Sequence, residues 1–416
     1  MNKFLIATTL LSSTLLLGCN NSDDDTSSST TDSDTNINTE TGTFVDSVVT
    51  GIGYRTETLT GVTNSEGEYS YLPGESVTFF IGNLEFPTTE AKGVVTPLDI
   101  ADTADASNQS VVNMARLLQT LDQDGDPSNG ITINEAANDV AVAVDFTLES
   151  SEFETAVEST IENGGQDTTV TALISEEDAI EHLTEQIDEI TREAVAGTWN
   201  IPFESSEKLL TIVFFDNGTY AHFEIDEEEN EDELGMEWGE YSRAINGAIT
   251  TTQIFDANGS IGLTDFTTES GATLSANIVD DKLVFEGTEE DGFEFTLSFD
   301  AATDDGIVGT WLLNDLEEAT LIMLVFNADG TYIQGEYNES DEIENQGMEW
   351  GQYNYDANSN FTVSEVMFDS NLDYGLSDIV GEAAADTGLT ISVDGNTLTL
   401  VDSEEEEDVT YTFTRQ

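Results

Sequence analysis

The apolar residues of this chain follow three successive spacings. From Thr43 to about Pro97 apolar and polar residues alternate in short runs broken by Gly and Asn, the period of half-buried strands. Phe44–Val49, Gly61–Tyr71 and Val77–Ile81 are the predicted strands. The spacing then lengthens to three and four. Met114, Leu117, Leu118 and Leu121 share one helical face, with Ser107 or Ser110 as the expected cap. Ile180, Leu183, Ile187, Ile190 and Ala194 form a second stripe, opened by the capping box Ser175-Glu176-Glu177-Asp178. His182 beside Leu183 reads as a solvated helix histidine facing Glu185, Gln186 and Glu189. After Val195 the alternation returns and holds to Gln416.

That last stretch is written twice. Gly197-Thr198-Trp199, Asn217-Gly218-Thr219-Tyr220 and Gly235-Met236-Glu237-Trp238-Gly239 recur 112 residues later, from Gly309, Asp329 and Gly347. Gly262-Leu263-Thr264-Asp265 recurs from Gly375 at an offset of 113, and Lys282-Leu283-Val284-Phe285 corresponds to Thr397–Leu400 at 115. A period this long means two globular copies, not a solenoid. In the first copy, Leu209–Phe215, Thr219–Ile225, Glu237–Ser242, Ile249–Phe255, Ala272–Ile278, Leu283–Glu286 and Phe293–Phe299 are the expected strands. Seven to nine short strands per copy fit a small up-and-down barrel. The fold class is therefore mainly β and multidomain: a small β-sandwich, a helical module with a Ca-binding loop, then two duplicated up-and-down β-barrels. The expected divisions are 1–18, 19–42, 43–98, 99–194, 195–302 and 303–416.

Charge narrows the function. The 416 residues carry 9 Lys+Arg against 86 Asp+Glu, a net charge of −77. Nucleic-acid binding needs a basic footprint, which is absent. With two histidines and one cysteine, zinc ribbons, Cys–His nucleophiles and internal disulfides are excluded. No catalytic motif stands out, and among 86 acids a carboxylate pair carries no information. The chain reads as a non-enzyme, with a carboxylate-based enzyme as a minor alternative. The acidic runs Glu224–Glu233 and Glu404–Asp408 read as solvated loops of a protein adapted to salt, or as loose collectors of divalent cations.

One site has metal-ligand spacing. Asp122, Asp124 and Asp126 stand at alternate positions, followed by Asn129, Ile131 and Glu135. Alternate carboxylates in a tight turn converge on one centre, and hard oxygens suit Ca²⁺. The stretch resembles an EF-hand loop with two extra residues between Asp126 and Asn129. The expectation is a structural Ca²⁺ clip.

Residues 1–19 give an address. Met1-Asn2-Lys3, a run of mostly apolar residues from Phe4 to Leu17, and Leu16-Leu17-Gly18-Cys19 resemble a lipoprotein signal peptide ending in a lipobox. The resemblance implies lipidation of Cys19. With Asn20 following, it implies an outer-membrane anchor, on the periplasmic or the cell-surface face. The Ser-, Thr- and Asp-rich residues 21–42 cannot bury enough surface to order themselves and read as a tether of up to about 75 Å when extended.

The Gly61–Tyr71 turn-and-strand stretch resembles carboxypeptidase-regulatory-like and transthyretin-like sandwiches, which are mostly spacers and adhesive units. The opening G-x-W and the later (D/N)-G-T-Y of each repeat resemble lipocalin-like (calycin-type) barrels. There the Trp closes one end of the barrel and a late Arg packs over it. Arg415 holds that place for Trp311; in the first copy the corresponding position is read as Phe299. Trp238 and Trp350 either line a ligand pocket or belong to the core, the latter favoured. Glu237 and Glu349 beside them either orient a ligand or point outward, again the latter favoured. His222 has Gln334 as its counterpart. The leading expectation is a lipid-anchored surface protein displaying binding or adhesive modules to a surface or matrix partner. Its rival is a carrier of a small apolar ligand inside the barrels.

Overall fold

The computed structural model describes residues 39–203, 208–226, 234–313, 320–338, 346–356, 361–371, 375–377, 390–402 and 409–416. Cys19, the signal-like segment and Glu404–Asp408 lie outside the described residues. The chain divides into one compact unit ending at Ile187 and a second comprising Asp188–Gln416.

The first unit has a single core shared by strands and helices. Strand Glu40–Phe44, whose first residues fall in the segment read as tether, lies between Glu68–Tyr71 and Val94–Val95. A second small sheet is built around Ser76–Ile81. Phe44 stacks on Phe79 at 4.2 Å, and Tyr69 meets Phe79 edge-on at 5.3 Å. The run Phe44–Val49 is not one strand. It reverses at Asp46-Ser47 in a tight turn closed by Val45 and Val48, with Ser47 at φ +58°. Helix Gln109–Thr120 buries Met114, Leu117 and Leu118 against the same core. Its cap is Asn108, whose side chain accepts from Ser110 N–H at 3.0 Å; neither serine takes that role. Ser175 does cap the helix Glu176–Glu193, accepting from Asp178 N–H at 3.1 Å.

The second unit holds two similar curled sheets of eight strands, each a half-barrel. Both run as antiparallel meanders in which the G-x-W strand pairs with the second and the last strand of its repeat. Gly197–Asn200, for example, lies between Lys208–Phe214 and Glu294–Ala301. The expected strand positions hold within a few residues.

The concave interiors are filled. In the first repeat Phe214 packs on Tyr241 at 4.7 Å and Phe285 on Phe299 at 5.1 Å. In the second, Trp311, Phe326, Tyr332, Phe361, Leu398 and Phe413 form the cluster. Trp199 and Trp311 each donate Nε1–H to a carbonyl four residues earlier, on Val195 and Ile307, at 2.8 Å. The Arg415 guanidinium lies 4.1 Å from the centroid of Trp311, a cation–π contact. The register corrects its counterpart: Arg415 pairs with Trp311 as Ala301, not Phe299, pairs with Trp199.

The convex faces pack on each other. One core contains Val213, Ala221, Met236 and Trp238 together with their own repeat partners Val325, Ile333, Met348 and Trp350. Thr198 Oγ1 lies 2.5 Å from Oγ1 of its counterpart Thr310. Equivalent residues meeting across an interface is the mark of an isologous pairing, here between the two halves of one chain.

This arrangement reverses the expected direction of Glu237 and Glu349. Both are fully buried, on the concave side. The alternation was read correctly, but the face opposite the inward glutamates is covered by the other repeat and so takes the tryptophans. Glu237 Oε1 accepts from the Thr264 amide at 2.9 Å and from the Tyr220 hydroxyl. Glu349 Oε1 accepts from the Ser377 amide at 2.9 Å and Tyr332 Oη at 2.5 Å. Gly262 and Gly375 lack a Cβ because the glutamate carboxylate occupies that space. The repeated G-M-E-W-G and G-L-(T/S)-D motifs are thus two halves of one contact.

Two outcomes are expected. Gly262→Ala or Gly375→Ala drives a methyl into a buried carboxylate and lowers stability by about 2 kcal/mol, as overpacking does. Urea unfolding followed by tryptophan fluorescence measures it, since all four tryptophans lie in the second unit; an unchanged midpoint refutes the contact. Burial pushes the Glu237 carboxyl up to about 7, against the lowering effect of the Thr264 hydrogen bonds. The folded state then holds a proton that the unfolded state releases near pH 4.5. This contribution is full below pH 4.5 and is lost as pH rises to about 7, roughly 3 kcal/mol in all. Glu237→Gln is expected to flatten that part of the stability–pH curve; an identical slope in both proteins refutes it.

Candidate functional site

The acidic loop is built on the turn that the strand reversal creates. Ile131 N–H donates to Val48 O at 2.9 Å and Ser47 Oγ donates to Pro127 O at 2.7 Å, so the loop is clamped at two points. Asp122, one of its first residues, is 1 % exposed. Its Oδ1 accepts from Thr132 N–H at 2.8 Å, while Oδ2 is buried with no hydrogen-bond partner. Burial raises the Asp122 carboxyl above the usual range, with Asp124 adding to the effect. Asp124 is lowered, chiefly by the Asp126 amide, which donates to its Oδ1 at 2.9 Å. Asn129 Nδ2 donates to Asp124 Oδ2 at 3.1 Å, and Asp126 caps the short turn Pro127–Asn129.

Ile131 is fully buried in the core of the first unit. Glu135 is exposed in the first turn of helix Glu135–Val140. Among the described residues no group of three or more His, Cys, Asp or Glu side chains stands close enough to hold a metal ion. The loop therefore brings Asp122 and Asp124 together and leaves Glu135 apart.

His182 is not simply solvated. Its Nε2 lies 3.0 Å from Ser47 Oγ, and burial lowers its basicity against the pull of Glu185 and Asp126. It pins the helix to the turn that holds the acidic loop. Beside it in the chain of contacts, Asp46 is fully buried, accepts from Gln119 Nε2 at 3.0 Å, and is raised well above the usual carboxylate range by burial.

The first half-barrel also encloses a few polar residues that sequence reading missed. His222 is fully buried, with Nε2 3.3 Å from Glu224 Oε2 but neither ring nitrogen in hydrogen-bond geometry. It is the cross-strand partner of Glu237. Asn258 is fully buried with both side-chain polar atoms unpartnered, and its Oδ1 shares with Glu237 Oε2 the space beside Gly262. The second repeat places Gln334, Glu349 and Asn371 at the equivalent positions. A signal was present: Asp256-x-Asn258 recurs as Asp369-x-Asn371 at 113. A carboxyl near neutrality beside a histidine is acid–base chemistry in principle. Here every member is enclosed, so the cluster serves the fold.

Trp238 and Trp350 stand in the core between the repeats, not inside either half-barrel. Each has an indole N–H without an acceptor. Tyr337 of the second repeat covers Trp238 at 5.2 Å and also meets Phe255 at 5.1 Å. Trp350 lines a groove of about 530 Å³ between the repeats. The groove's other walls come from Asn200–Phe203, Lys208–Thr211 and the 327–331 turn.

No family model and no curated protein matches the chain. The solved structures similar to it include the DNA polymerase β subunit of Streptococcus pyogenes, at 8% identity over 56% of this chain and 62% of that one, with a TM-score of 0.11. A DNA polymerase sliding clamp from Pseudomonas aeruginosa is 9% identical over 55% of this chain and 58% of that one, with a TM-score of 0.12. The Helicobacter pylori β clamp is 11% identical over 57% of this chain and 62% of that one, with a TM-score of 0.10. The chain spans about three fifths of the length of these clamps, and likenesses at such TM-scores carry no argument about fold or function.

Proposed function

We propose that this chain is a non-enzymatic, lipid-anchored envelope protein that displays binding or adhesive modules on a tether. The observation that carries the reading is the filling of both half-barrel interiors by buried aromatic side chains. An eight-stranded barrel either packs its interior or holds one small ligand, and a packed interior favours display over transport inside the barrel. The two small sheets of the first unit are read as a transthyretin-like sandwich acting as a spacer. The half-barrels are read as lipocalin-like, a reading supported by the Arg415–Trp311 contact and by the matching hydrogen bonds from the Trp199 and Trp311 indoles to the carbonyls four residues earlier. Attachment is assigned to Cys19 on the lipobox-like stretch Leu16-Leu17-Gly18-Cys19.

Calcium is proposed as a clip in the 122–135 loop. The buried, unpartnered Asp122 Oδ2 and the neighbouring Asp124 fit a hard cation. Bound there, Ca²⁺ would neutralise two carboxylates that repel one another and stiffen the joint between turn and helices.

Two measurements test these readings. Wild-type protein is expected to sediment with outer membranes and the Cys19→Ser form to stay soluble; a Cys19→Ser form that still sediments removes the lipid-anchor reading. Native mass spectrometry of that soluble form separates display from transport, because a retained organic adduct argues for a carrier. For the clip, a Ca²⁺ concentration a hundredfold above Kd is expected to stabilise the first unit by about 2.7 kcal/mol relative to chelator. Asp122→Asn with Asp124→Asn should abolish that gain, and an equal gain in the double variant would place the effect elsewhere among the acids.

A further inference from the structure

The groove beside Trp350 has a chemistry of its own. Its volume, about 530 Å³, lies in the range of small-molecule sites. Phe203, Leu209, Trp350 and Met367 give it an apolar wall. Asn200, Thr211, Asn327, Thr331 and Gln352 supply uncharged amides and hydroxyls.

Its charges are already engaged. Lys208 Nζ pairs with Asp226 at 2.8 Å, and Asp300 pairs with Lys282. Asp329 Oδ1 accepts from the Thr331 amide at 2.9 Å and its hydroxyl at 2.7 Å. An anion entering the groove would meet a chain of net charge −77 with no free cation on the walls to receive it. Thr211 Oγ1 donates to Asn200 Oδ1 at 2.6 Å and Asn327 Nδ2 donates to Thr331 Oγ1 at 3.1 Å, so a wholly apolar guest would strand the remaining Asn200 Nδ2, Asn327 Oδ1 and Gln352 amide groups, at about 1–3 kcal/mol for each buried group. What fits both walls is a neutral molecule with apolar C–H faces and many hydroxyls.

The two sides of the pseudo-symmetric pairing differ at this point. Tyr337 lies against Trp238 and Phe255. The position matching Tyr337 in the first repeat is Ile225, which has no ring. The aromatic cover on Trp238 has no equivalent on Trp350 among the described residues.

We propose that the groove at Trp350 binds a neutral oligosaccharide. The site lies between the repeats rather than inside a barrel, and its ligand is polar rather than apolar. The inference goes beyond the display reading and does not depend on the anchor: a chain that binds sugar but is not lipidated would overturn only the latter.

The test uses the mature chain carrying Cys19→Ser. Cellohexaose, laminarihexaose and maltohexaose are titrated by calorimetry and by tryptophan fluorescence, with hexagalacturonate as the anionic control. At least one neutral sugar is expected to bind at one site per chain and to change the fluorescence, while the anionic control does not bind. Trp350→Phe should remove the fluorescence response. Because that change touches the core between the repeats, a second variant acts from the surface. Ala328 is exposed on the groove's rim, and Ala328→Trp should fill the groove and weaken binding at least tenfold. Asp216→Trp, the matching exposed turn position of the first repeat, should leave it unchanged. Failure of all three neutral sugars to bind at millimolar concentration overturns the proposal. So does binding that Ala328→Trp leaves intact, or equal binding of the anionic hexamer.

Discussion

The packing of the two convex faces against each other sets the terms for the whole second unit. A sheet that faces water on one side alternates apolar and polar residues. Here neither side faces water along the middle of the central strands, so Leu210–Phe214, Tyr220–Asp226 and Gly235–Gly239 are buried on both. The convex side goes to Met236, Trp238 and their partners. Glu237 and Glu349 then point into the concave interior, where each needs an internal partner. Glu237 finds Tyr220 and Thr264, and Glu349 finds Tyr332 and Ser377. The glycines at 262 and 375 follow, because only a residue without a side chain leaves room for the carboxylate.

How much of this was legible in the sequence divides along the same line. Strand positions and the duplication could be read because they depend on local period and on repeated spacing; the Arg415–Trp311 contact was expected only from the resemblance to lipocalin-like barrels. The direction of Glu237 could not be read. Alternation says that Glu237 and Trp238 face opposite ways; it does not say that both faces are buried. That is a fact of pairing between repeats, which no single-repeat pattern encodes. The clue in retrospect is the density of apolar residues: Leu209-Leu210-Thr211-Ile212-Val213-Phe214-Phe215 has no clean polar face. His182 failed for a related reason. Its helical neighbours are acidic, which suggests solvent, but the partner that matters is Ser47, 135 residues away. The reversal at Asp46-Ser47 was hidden because Val45, Val48 and Val49 on either side of it read as one strand.

The two polar regions follow from different constraints. Asp122 and Asp124 share an exposed loop whose backbone amides already occupy several carboxylate oxygens, leaving one buried oxygen of Asp122 free. The His222, Glu224 and Asn258 group is enclosed by the first half-barrel and repeats in outline as Gln334, Glu336 and Asn371. Replacement of an ionisable His by an uncharged Gln at the same interior place, with the fold kept, argues that the second copy needs polarity there and not titration.

Cations show what the extreme charge does to the fold. Of 9 lysine and arginine residues only Lys3 lies outside the described residues, and each of the others has a structural partner. Arg55, Lys92, Arg116, Lys208, Lys282 and Arg415 make ion pairs. Arg243 Nε donates to Ala276 O at 2.7 Å and Arg192 Nε to Asp188 O at 3.1 Å. Among the described residues every cation is thus engaged, and with 86 acids the chain's own repulsion is weakest in salt, where the screening length falls to about 8 Å. Among the described residues the groove at Trp350 offers uncharged hydrogen-bonding groups, and the loop at Asp122 offers neighbouring carboxylates.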